Sequence, residues 1–357
     1  HTGINHSLVA VRSDGTSDTL KQDQDEFCQK LEPHPIKKDR ANREDAELTP
    51  DELSGLRTVL GGLLWLCQTR LDIICETVLC QQEVSRATIR TLKQANSTLT
   101  RAKKYAKGCG LFFHRMKTPL KIMTVGDSSH ATKSSSYAQE GCIILLMHDH
   151  TLRMVESGSP HYKKIMDSRT DMSDFCTVLA YISHKAKRVS SSTSMAETLI
   201  ANLSKELAQL VVLRLTEIFG HGIQTPFLKA TPLKLLIEIQ ENAMWAIPVD
   251  QVTDCKDVFE LVTEQKGVPQ DRYQRVYVMS LREDRIKQAI RRFFWIPTQA
   301  MLVDCLTKQM ISNIMSDLLH FGFWQFDNHG FDPLCAIELA QRQHIDETDI
   351  VLSLIHI

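Results

Sequence analysis

The sequence lacks the features that mark membrane proteins, disulfide-stabilised domains and several classes of enzyme. No apolar run approaches the roughly 20 residues that span a bilayer, and no signal-peptide pattern opens the chain. The ten cysteines include no CxxC pair, so we expect reduced thiols in an intracellular protein. A nucleophile elbow and a Gly-rich phosphate loop are also missing, which argues against α/β-hydrolase and P-loop chemistry. We therefore expect neither a membrane partner nor a small-molecule cofactor.

A marked charge imbalance is missing as well, since 42 Lys and Arg residues face 43 Asp and Glu residues, for a net charge of −1. The average hides a basic stretch over residues 85–117, which contains no acid. We interpret this stretch as a nucleic-acid surface, because clustered cations are what a phosphate backbone attracts. The alternative is a solvated helix face packed by its aliphatic stems. The predicted contacts are Arg101, Lys103, Lys104 and Lys107.

The first third of the chain is predicted to be mostly helical. Thr49 opens a capping box with proline at the next position and Glu52 at the third helical position. Leucines and a valine then repeat at helical spacing, which predicts a buried stripe. Further helices are predicted over 72–82 and 88–107, and a short hairpin near the N-terminus. The length of 357 residues favours about two domains.

From Lys121 the pattern changes to strands. The runs KIMTVGD, QEGCIILLMHD and DFCTVLAYISHK predict three strands, followed by a long helix over 194–219. PLKLLIEI and MWAIPVD are strand-like, 156–174 is a loop, and IRRFFWIP is a last strand between two helices. This order predicts a mixed sheet flanked by helices, a fold class between α+β and α/β.

Four acidic residues lie where predicted elements begin or end. Asp127 ends a strand, Glu197 starts the long helix, Asp254 follows a strand, and Asp304 lies in the last short helix. Carboxylates are costly to bury unless they are paired or bind a cation. If these four converge, they form a hard oxygen site suited to Mg²⁺, as in two-metal hydrolysis of a phosphodiester. Asp250 and Asp257 are alternatives to Asp254.

The residues around these acids resemble a known family. The pieces LGGLLWLCQTRLDI, VGDSSHA, SHKAKRVSSSTSMAETLIA, VTDCKDVFELV and IPTQAMLVDCLTK follow the order found in copia-type LTR retrotransposon Pol polyproteins. There they run from the end of the reverse transcriptase into the ribonuclease H domain. The resemblance covers residues 1–312. It implies a reverse transcriptase remnant of thumb and connection type over 1–118, a ribonuclease H-like domain over 119–312, and a tail of unknown role over 313–357.

This resemblance implies a metal-dependent endoribonuclease that cuts the RNA strand of RNA·DNA hybrids. The catalytic residues and metal ligands are then Asp127, Glu197, Asp254 and Asp304, which hold two Mg²⁺ ions, with Mn²⁺ as an alternative. The partners are the hybrid and the remainder of the Pol polyprotein, in a cytoplasmic retroelement particle or in the nucleus. The YxDD motif of the polymerase is absent from the sequence, so we expect no DNA polymerase activity.

The serine-rich segment before Glu197 has two interpretations. Its hydroxyls cap the long helix, with Ser194 as the expected cap, or they contact the nucleic-acid backbone. Ser192 and Thr193 resemble the position where this enzyme class touches the sugar of the RNA strand.

A second hypothesis is a catalytically decayed fragment that keeps the fold and binds nucleic acid without turnover. The loop over 156–174 is unusual, and the tail over 313–357 looks arbitrary. Separately, Leu71 stands where the family usually has proline, so we expect a softer break between the first two helices. The chain opens at His1 rather than Met, so we expect a piece of a longer translation product. The distances between the four carboxylates distinguish the two hypotheses, because a two-metal site needs ions about 4 Å apart.

Overall fold

The computed structural model describes residues 3–9, 19–116, 120–129, 137–149, 175–219 and 247–324. The predicted loop over 156–174, the strand-like run PLKLLIEI and most of the tail lie outside the described residues.

The described strands form two sheets. The smaller sheet is antiparallel, with strand order β1-β2-β3, and the larger has the order β6-β5-β4-β7-β8. The strands are Asn5–Val9 (β1), Thr19–Asp23 (β2), Leu111–His114 (β3), Leu120–Ser129 (β4), Gln139–His148 (β5), Cys176–Lys185 (β6), Val249–Thr253 (β7) and Arg292–Trp295 (β8).

The larger sheet is mixed. Strands β4, β5 and β6 correspond to the three predicted strands and form an antiparallel meander, while β7 pairs parallel with β4 and β8 pairs parallel with β7. A parallel pair needs a crossover connection, and the helices between β6 and β8 lie in these connections. The described helices are Asp25–Lys30 (α1), Lys38–Ala41 (α2), Pro50–Leu66 (α3), Ile74–Gln82 (α4), Ile89–Lys104 (α5), Thr193–Phe219 (α6), Lys256–Val262 (α7), Arg272–Ile286 (α8), Asp304–Thr307 (α9) and Asn313–Phe321 (α10). The predicted mixed sheet flanked by helices is thus confirmed.

We call the segment with helices α3, α4 and α5 the helical unit, and it begins with the predicted capping box. The Thr49 hydroxyl accepts a hydrogen bond from the Glu52 amide at 3.3 Å, and the Glu52 carboxylate accepts one from the Thr49 amide at 2.8 Å. Helix α5 ends at Lys104, three residues before the predicted end, and the buried Leu71 begins a 3₁₀ turn ahead of α4. No helix among the described residues is long and apolar enough to cross a membrane.

One apolar core joins the helical unit to the larger sheet. The same cluster of buried side chains contains Leu63 of α3, Val125 of β4 and Leu306 of α9. Met315 of α10 and Trp324 also belong to it, so the first residues of the predicted tail are packed. The domain boundary at 118/119 stays a prediction, but this core continues across it.

Candidate metal centre

Three of the four predicted acids meet at one end of the larger sheet. Asp127 lies near the end of β4, Glu197 in the first turns of α6, and Asp254 directly after β7. One carboxylate oxygen of each lies within 4.8 Å of those of the other two. Because β4 and β7 are parallel, their carboxyl ends share an edge, and this brings Asp127 and Asp254 together. Strand β4 continues to Ser129, so Asp127 lies inside the strand rather than at its tip.

Two glycines allow helices to pack closely around Asp127. A Cβ at Gly126 would lie 3.2 Å from the Ile200 side chain of α6. Gly141 is the β5 residue opposite Asp127, and a Cβ there would lie 2.8 Å from Cβ of Leu306 and 2.9 Å from Cγ2 of Thr307. The absence of a side chain at Gly141 therefore lets α9 rest directly on the sheet beside the acids.

Glu197 has one satisfied and one unsatisfied carboxylate oxygen. Its Oε1 accepts hydrogen bonds from the amide of Ser128 at 3.2 Å and from the Ser128 hydroxyl at 3.1 Å. Its Oε2 is buried and has no hydrogen-bond partner. Burial, followed by the nearby charges of Asp127 and Asp254, raises the pKa of Glu197 well above its ordinary value. A buried oxygen without a donor is what a bound cation would satisfy.

Asp127 contacts two residues of the segment around α9. The Thr307 hydroxyl donates a short hydrogen bond to Oδ2 of Asp127, and Nζ of Lys308 lies 3.6 Å from the same oxygen. Burial raises the pKa of Asp127, although Lys308 and Thr307 oppose the shift. Neither Thr307 nor Lys308 was predicted to belong to the site. The sequence contains one indication that Lys308 belongs to the site: it follows Asp304 by four residues, a spacing at which helical side chains meet.

Asp304 lies beside the group of three rather than within it. It is the first residue of α9, and its Oδ1 accepts a hydrogen bond from Nζ of Lys308 at 2.5 Å. Burial raises the pKa of Asp304, and the charge of Asp127 adds to the shift. The ammonium of Lys308 therefore lies between Asp304 and Asp127.

As a metal ligand, Asp254 is favoured over Asp250 and Asp257. Burial raises its pKa, while a hydrogen bond from the Thr298 side chain opposes the shift. Asp250 instead receives two hydrogen bonds from the Arg291 guanidinium, at 2.9 and 2.7 Å. Asp257 pairs with Lys266 at 2.8 Å. Both alternatives already have cationic partners within the chain.

The set of donor atoms suits a hard divalent cation. All the converging atoms are carboxylate oxygens, the type of ligand that Mg²⁺ prefers. Two buried carboxylates and the half-buried Asp254 repel one another, and Lys308 is a cation that the described residues place beside Asp127. Together with the unsatisfied oxygen of Glu197, this arrangement fits a bound metal ion.

The serine-rich segment caps α6 through a different residue than predicted. The Ser192 hydroxyl accepts a hydrogen bond from the Met195 amide at 3.1 Å. Ser194 instead donates to Asp257 at 2.5 Å and accepts from Gln274 at 2.7 Å, so its expected capping role is wrong. Ser192 and Thr193 are exposed, and their contacts with nucleic acid stay predictions.

Some cations of the basic stretch pair with acidic residues from other parts of the chain. Arg101 donates a hydrogen bond to Glu76 at 2.5 Å, and Lys103 pairs with Glu32 at 3.2 Å. These partners lie 25 and 71 residues away, so the sequence alone did not reveal them. Lys104 and Lys107 are exposed. The predicted binding surface therefore has fewer exposed cations than the sequence indicates.

The sequence matches no protein-family model and no curated protein. Among solved structures, the chain is similar to one described as the N-terminal RNase H domain of rv2228c from Mycobacterium tuberculosis, fused to maltose-binding protein. The similarity covers 54% of this chain and 92% of that chain, with 14% sequence identity and a TM-score of 0.29. A similarity of this level establishes no shared activity, so the functional inference depends on the geometry of the site.

Proposed function

We propose that this protein is a metal-dependent endoribonuclease of the ribonuclease H type, which hydrolyses the RNA strand of RNA·DNA hybrids. The observation that carries the proposal is the group of Asp127, Glu197 and Asp254, two buried carboxylates and one half-buried carboxylate within 4.8 Å of one another. The unpartnered Oε2 of Glu197 adds to it, because the chain leaves this buried oxygen without a donor.

The topology supports the assignment. An antiparallel meander is followed by two parallel strands, and the acids lie at the ends of β4 and β7 and at the start of the helix between β6 and β7. This is the arrangement that the resemblance to copia-type Pol polyproteins implies for a ribonuclease H-like domain. We propose in addition that the chain is the reverse transcriptase and ribonuclease H part of such a polyprotein, a proposal that rests on the order of the resembling sequence pieces.

Some side chains of the site would bind cations, and others hold these ligands in place. Asp127, Glu197 and Asp254 would bind Mg²⁺, or Mn²⁺ in its place, and Asp304 would help to hold a second ion. Ions bound there would activate a water molecule and stabilise the leaving oxygen of the phosphodiester. Ser128 fixes the orientation of Glu197 through two hydrogen bonds, since both its amide and its hydroxyl donate to the same oxygen.

The hybrid would be contacted by groups outside the acidic cluster. Lys104 and Lys107 are exposed cations at the end of α5, and Ser192 and Thr193 are exposed hydroxyl groups at the start of the Glu197 helix. Contacts to the 2′-OH would restrict cleavage to the RNA strand, because DNA lacks this group.

One observation favours the second candidate, a decayed fragment that binds nucleic acid without turnover. The Lys308 ammonium already lies 2.5 Å from Asp304 and 3.6 Å from Asp127, so the chain partly neutralises its own site. A site permanently neutralised in this way would bind no metal, and the protein would keep the fold and bind nucleic acid without cleaving it.

A cleavage assay tests the proposal. A labelled RNA·DNA hybrid is incubated with wild type, with Asp127→Asn, and with Asp39→Asn, which changes an exposed acid in α2 as a matched control. We expect Mg²⁺-dependent cleavage of the RNA strand by wild type and by the control. The Asp127→Asn variant should be inactive, because it lacks one of the ligand charges. Binding of the hybrid without cleavage at any Mg²⁺ or Mn²⁺ concentration would favour the decayed fragment.

A thermal melt tests the metal site without relying on activity. Mg²⁺ should raise the unfolding midpoint of wild type more than that of Asp127→Asn, because at a given concentration a ligand that binds more tightly stabilises the folded state more. Equal shifts for the two proteins would show that these acids form no metal site.

A further inference from the structure

Lys308 approaches the acidic cluster from the solvent side. Its side chain is 41% exposed, whereas the side chains of Asp127 and Asp304 are 3% and 10% exposed. Its ammonium lies 2.5 Å from Oδ1 of Asp304 and 3.6 Å from Oδ2 of Asp127. The charged end of an otherwise accessible side chain therefore reaches two largely buried carboxylates.

The chemistry of lysine makes this contact easy to break. An ammonium is a compact, strongly hydrated point charge on a flexible four-carbon stem, so the side chain can turn into water without any movement of the backbone. Arginine forms fixed two-point contacts with carboxylates and holds them more rigidly. A lysine between two acids is thus a cation that can leave.

A divalent ion at this site would compete with Lys308 for the same oxygen atom. Oδ2 of Asp127 already faces both Lys308 and the Thr307 hydroxyl, while the Oε2 oxygen of Glu197 has no donor. Lys308 thus covers the Asp127 and Asp304 side of the cluster and leaves the Glu197 side uncovered. A bound ion would carry two charges where the ammonium carries one, so it would offset the repulsion among the acids more completely.

We propose that Lys308 is an exchangeable internal counter-cation, which holds Asp127 and Asp304 together without metal and turns into solvent when a divalent ion binds. This inference rests on the proposed metal site and adds its regulation. Lys308 lowers the affinity for metal and stabilises the metal-free protein, so the two properties change in opposite directions when it is replaced.

A second lysine of the same local geometry provides the control. Lys287 pairs with Glu283 at 2.6 Å, also with i,i+4 spacing, and both side chains are more than half exposed. Replacing either lysine by Met removes one positive charge and one i,i+4 pair. Only Lys308→Met removes the charge beside Asp127.

The experiment titrates metal-free wild type, Lys308→Met and Lys287→Met with MgCl₂ alone in a calorimeter. We expect Lys308→Met to bind Mg²⁺ about tenfold more tightly than wild type or more, as for loss of a competing charge at a few ångströms. Lys287→Met should bind as wild type does. In melts with EDTA, the midpoint of Lys308→Met should fall further than that of Lys287→Met.

The outcomes separate this inference from the proposed function. Mg²⁺ binding that is equally tight in wild type and in Lys308→Met would overturn the role of Lys308 and leave the metal site in place. Absence of Mg²⁺ binding in all three proteins would overturn the metal site itself, and the inference with it. If Lys308→Met does not fold in EDTA, Lys308→Gln replaces it, and failure of Mg²⁺ to restore folding of both variants would count against displacement.

Discussion

Each end of the larger sheet buries a cluster of charged side chains, and the two clusters differ in their charge balance. The acidic end contains Asp127, Glu197 and Asp254, with Asp304 beside them and the Lys308 ammonium as a nearby cation. The opposite end contains Lys121, Asp149, Asp250 and Arg291, in which two cations face two acids.

At the balanced end the acids are bonded to cations of the chain itself. The Arg291 guanidinium donates to Asp250 at 2.9 and 2.7 Å and to Asp149 at 2.7 and 3.2 Å. Nζ of Lys121 lies 3.7 Å from Asp250, and both side chains are fully buried. Burial opposes the charged form of Asp149, yet the hydrogen bonds from Arg291 hold its pKa below the ordinary value.

The two ends show that burial of acids alone does not identify a binding site. Each cluster contains buried acids, Asp127 and Glu197 in one and Asp250 in the other, and both lie at the ends of β4 and β7. At the balanced end the chain supplies the counter-charges, although Nζ of Lys121, like Oε2 of Glu197, has no hydrogen-bond partner. The two ends therefore differ in charge, and it is the excess of acids that a bound cation would offset, since an unpaired buried charge is costly.

The largest expected effect is on the free energy of unfolding, and it tests whether the two ends of the sheet differ in charge compensation. Asp250→Asn leaves Arg291 and Lys121 short of one counter-charge, and we expect a loss of about 3–5 kcal/mol in the free energy of unfolding. Asp127→Asn in EDTA should leave stability unchanged or slightly higher, because it removes repulsion among neighbouring acids. Denaturant unfolding of both variants measures the difference. A similar loss for both would mean that the acidic end is as well compensated as the other.

A smaller expected effect is a loss of stability at acidic pH. It limits the pH range in which unfolding measurements on the two ends of the sheet can be compared. Burial lowers the pKa of His114 on β3 to about 4. The unfolded chain has a histidine pKa of about 6.5, so between these values it binds more protons than the folded protein. Stability should therefore fall as pH drops from about 6.5 towards 4, by at most about 1.4 kcal/mol per pH unit.

The replacement His114→Phe tests the source of this pH dependence. His114 lies beside the rings of Phe112 and Phe175, so phenylalanine keeps these ring contacts but loses the hydrogen bond between Nδ1 and the Thr19 hydroxyl at 3.0 Å. Unfolding curves of this variant should be flatter with pH than those of wild type below pH 6.5. If the slope of stability against pH is unchanged, other groups cause the pH dependence. The stabilities of the Asp250 and Asp127 variants would then have to be measured across this pH range as well.

The smallest effect concerns a surface away from both clusters. Lys104 and Lys107 are exposed, whereas Lys93 pairs with Glu44 at 2.9 Å. We expect Lys104→Gln with Lys107→Gln to weaken hybrid binding and to reduce its salt dependence by about one unit of slope per lost phosphate contact. Lys93→Gln is the control, and we expect it to change the slope less. Equal slopes for all three proteins would return the basic stretch to a solvated helix face.

Features that depend on neighbouring residues were predicted from the sequence. The capping box at Thr49 was predicted because its partners lie three residues apart. The places of Asp127, Glu197 and Asp254 near the ends of regular elements were also visible in short stretches of sequence. Their assignment to one site came from the family resemblance, and the structure brings the three together.

Features that depend on distant residues were missed. The contact between Thr307 and Asp127 joins residues 180 positions apart, and the partners of Arg291 include Asp149, 142 positions away. No local pattern marks such pairs, so Asp250 remained an alternative ligand until its pairing with Arg291 was seen. Ser194 was expected to cap α6 because the spacing suited it, but Asp257 and Gln274 engage its hydroxyl instead.

The seat of α9 on Gly141 has a consequence for the newly made chain. Synthesis proceeds from the N-terminus, so Asp127, Glu197 and Asp254 leave the ribosome before Asp304 and Lys308 do. A product that stops before residue 304 carries the three acids with an open groove over Gly141 and without the lysine that partly neutralises them. Such a product should be a poorer folder and an easier substrate for proteases than the chain that includes α9. The segment around α9, which emerges after the three acids, thus closes the site and covers the sheet beside Gly141.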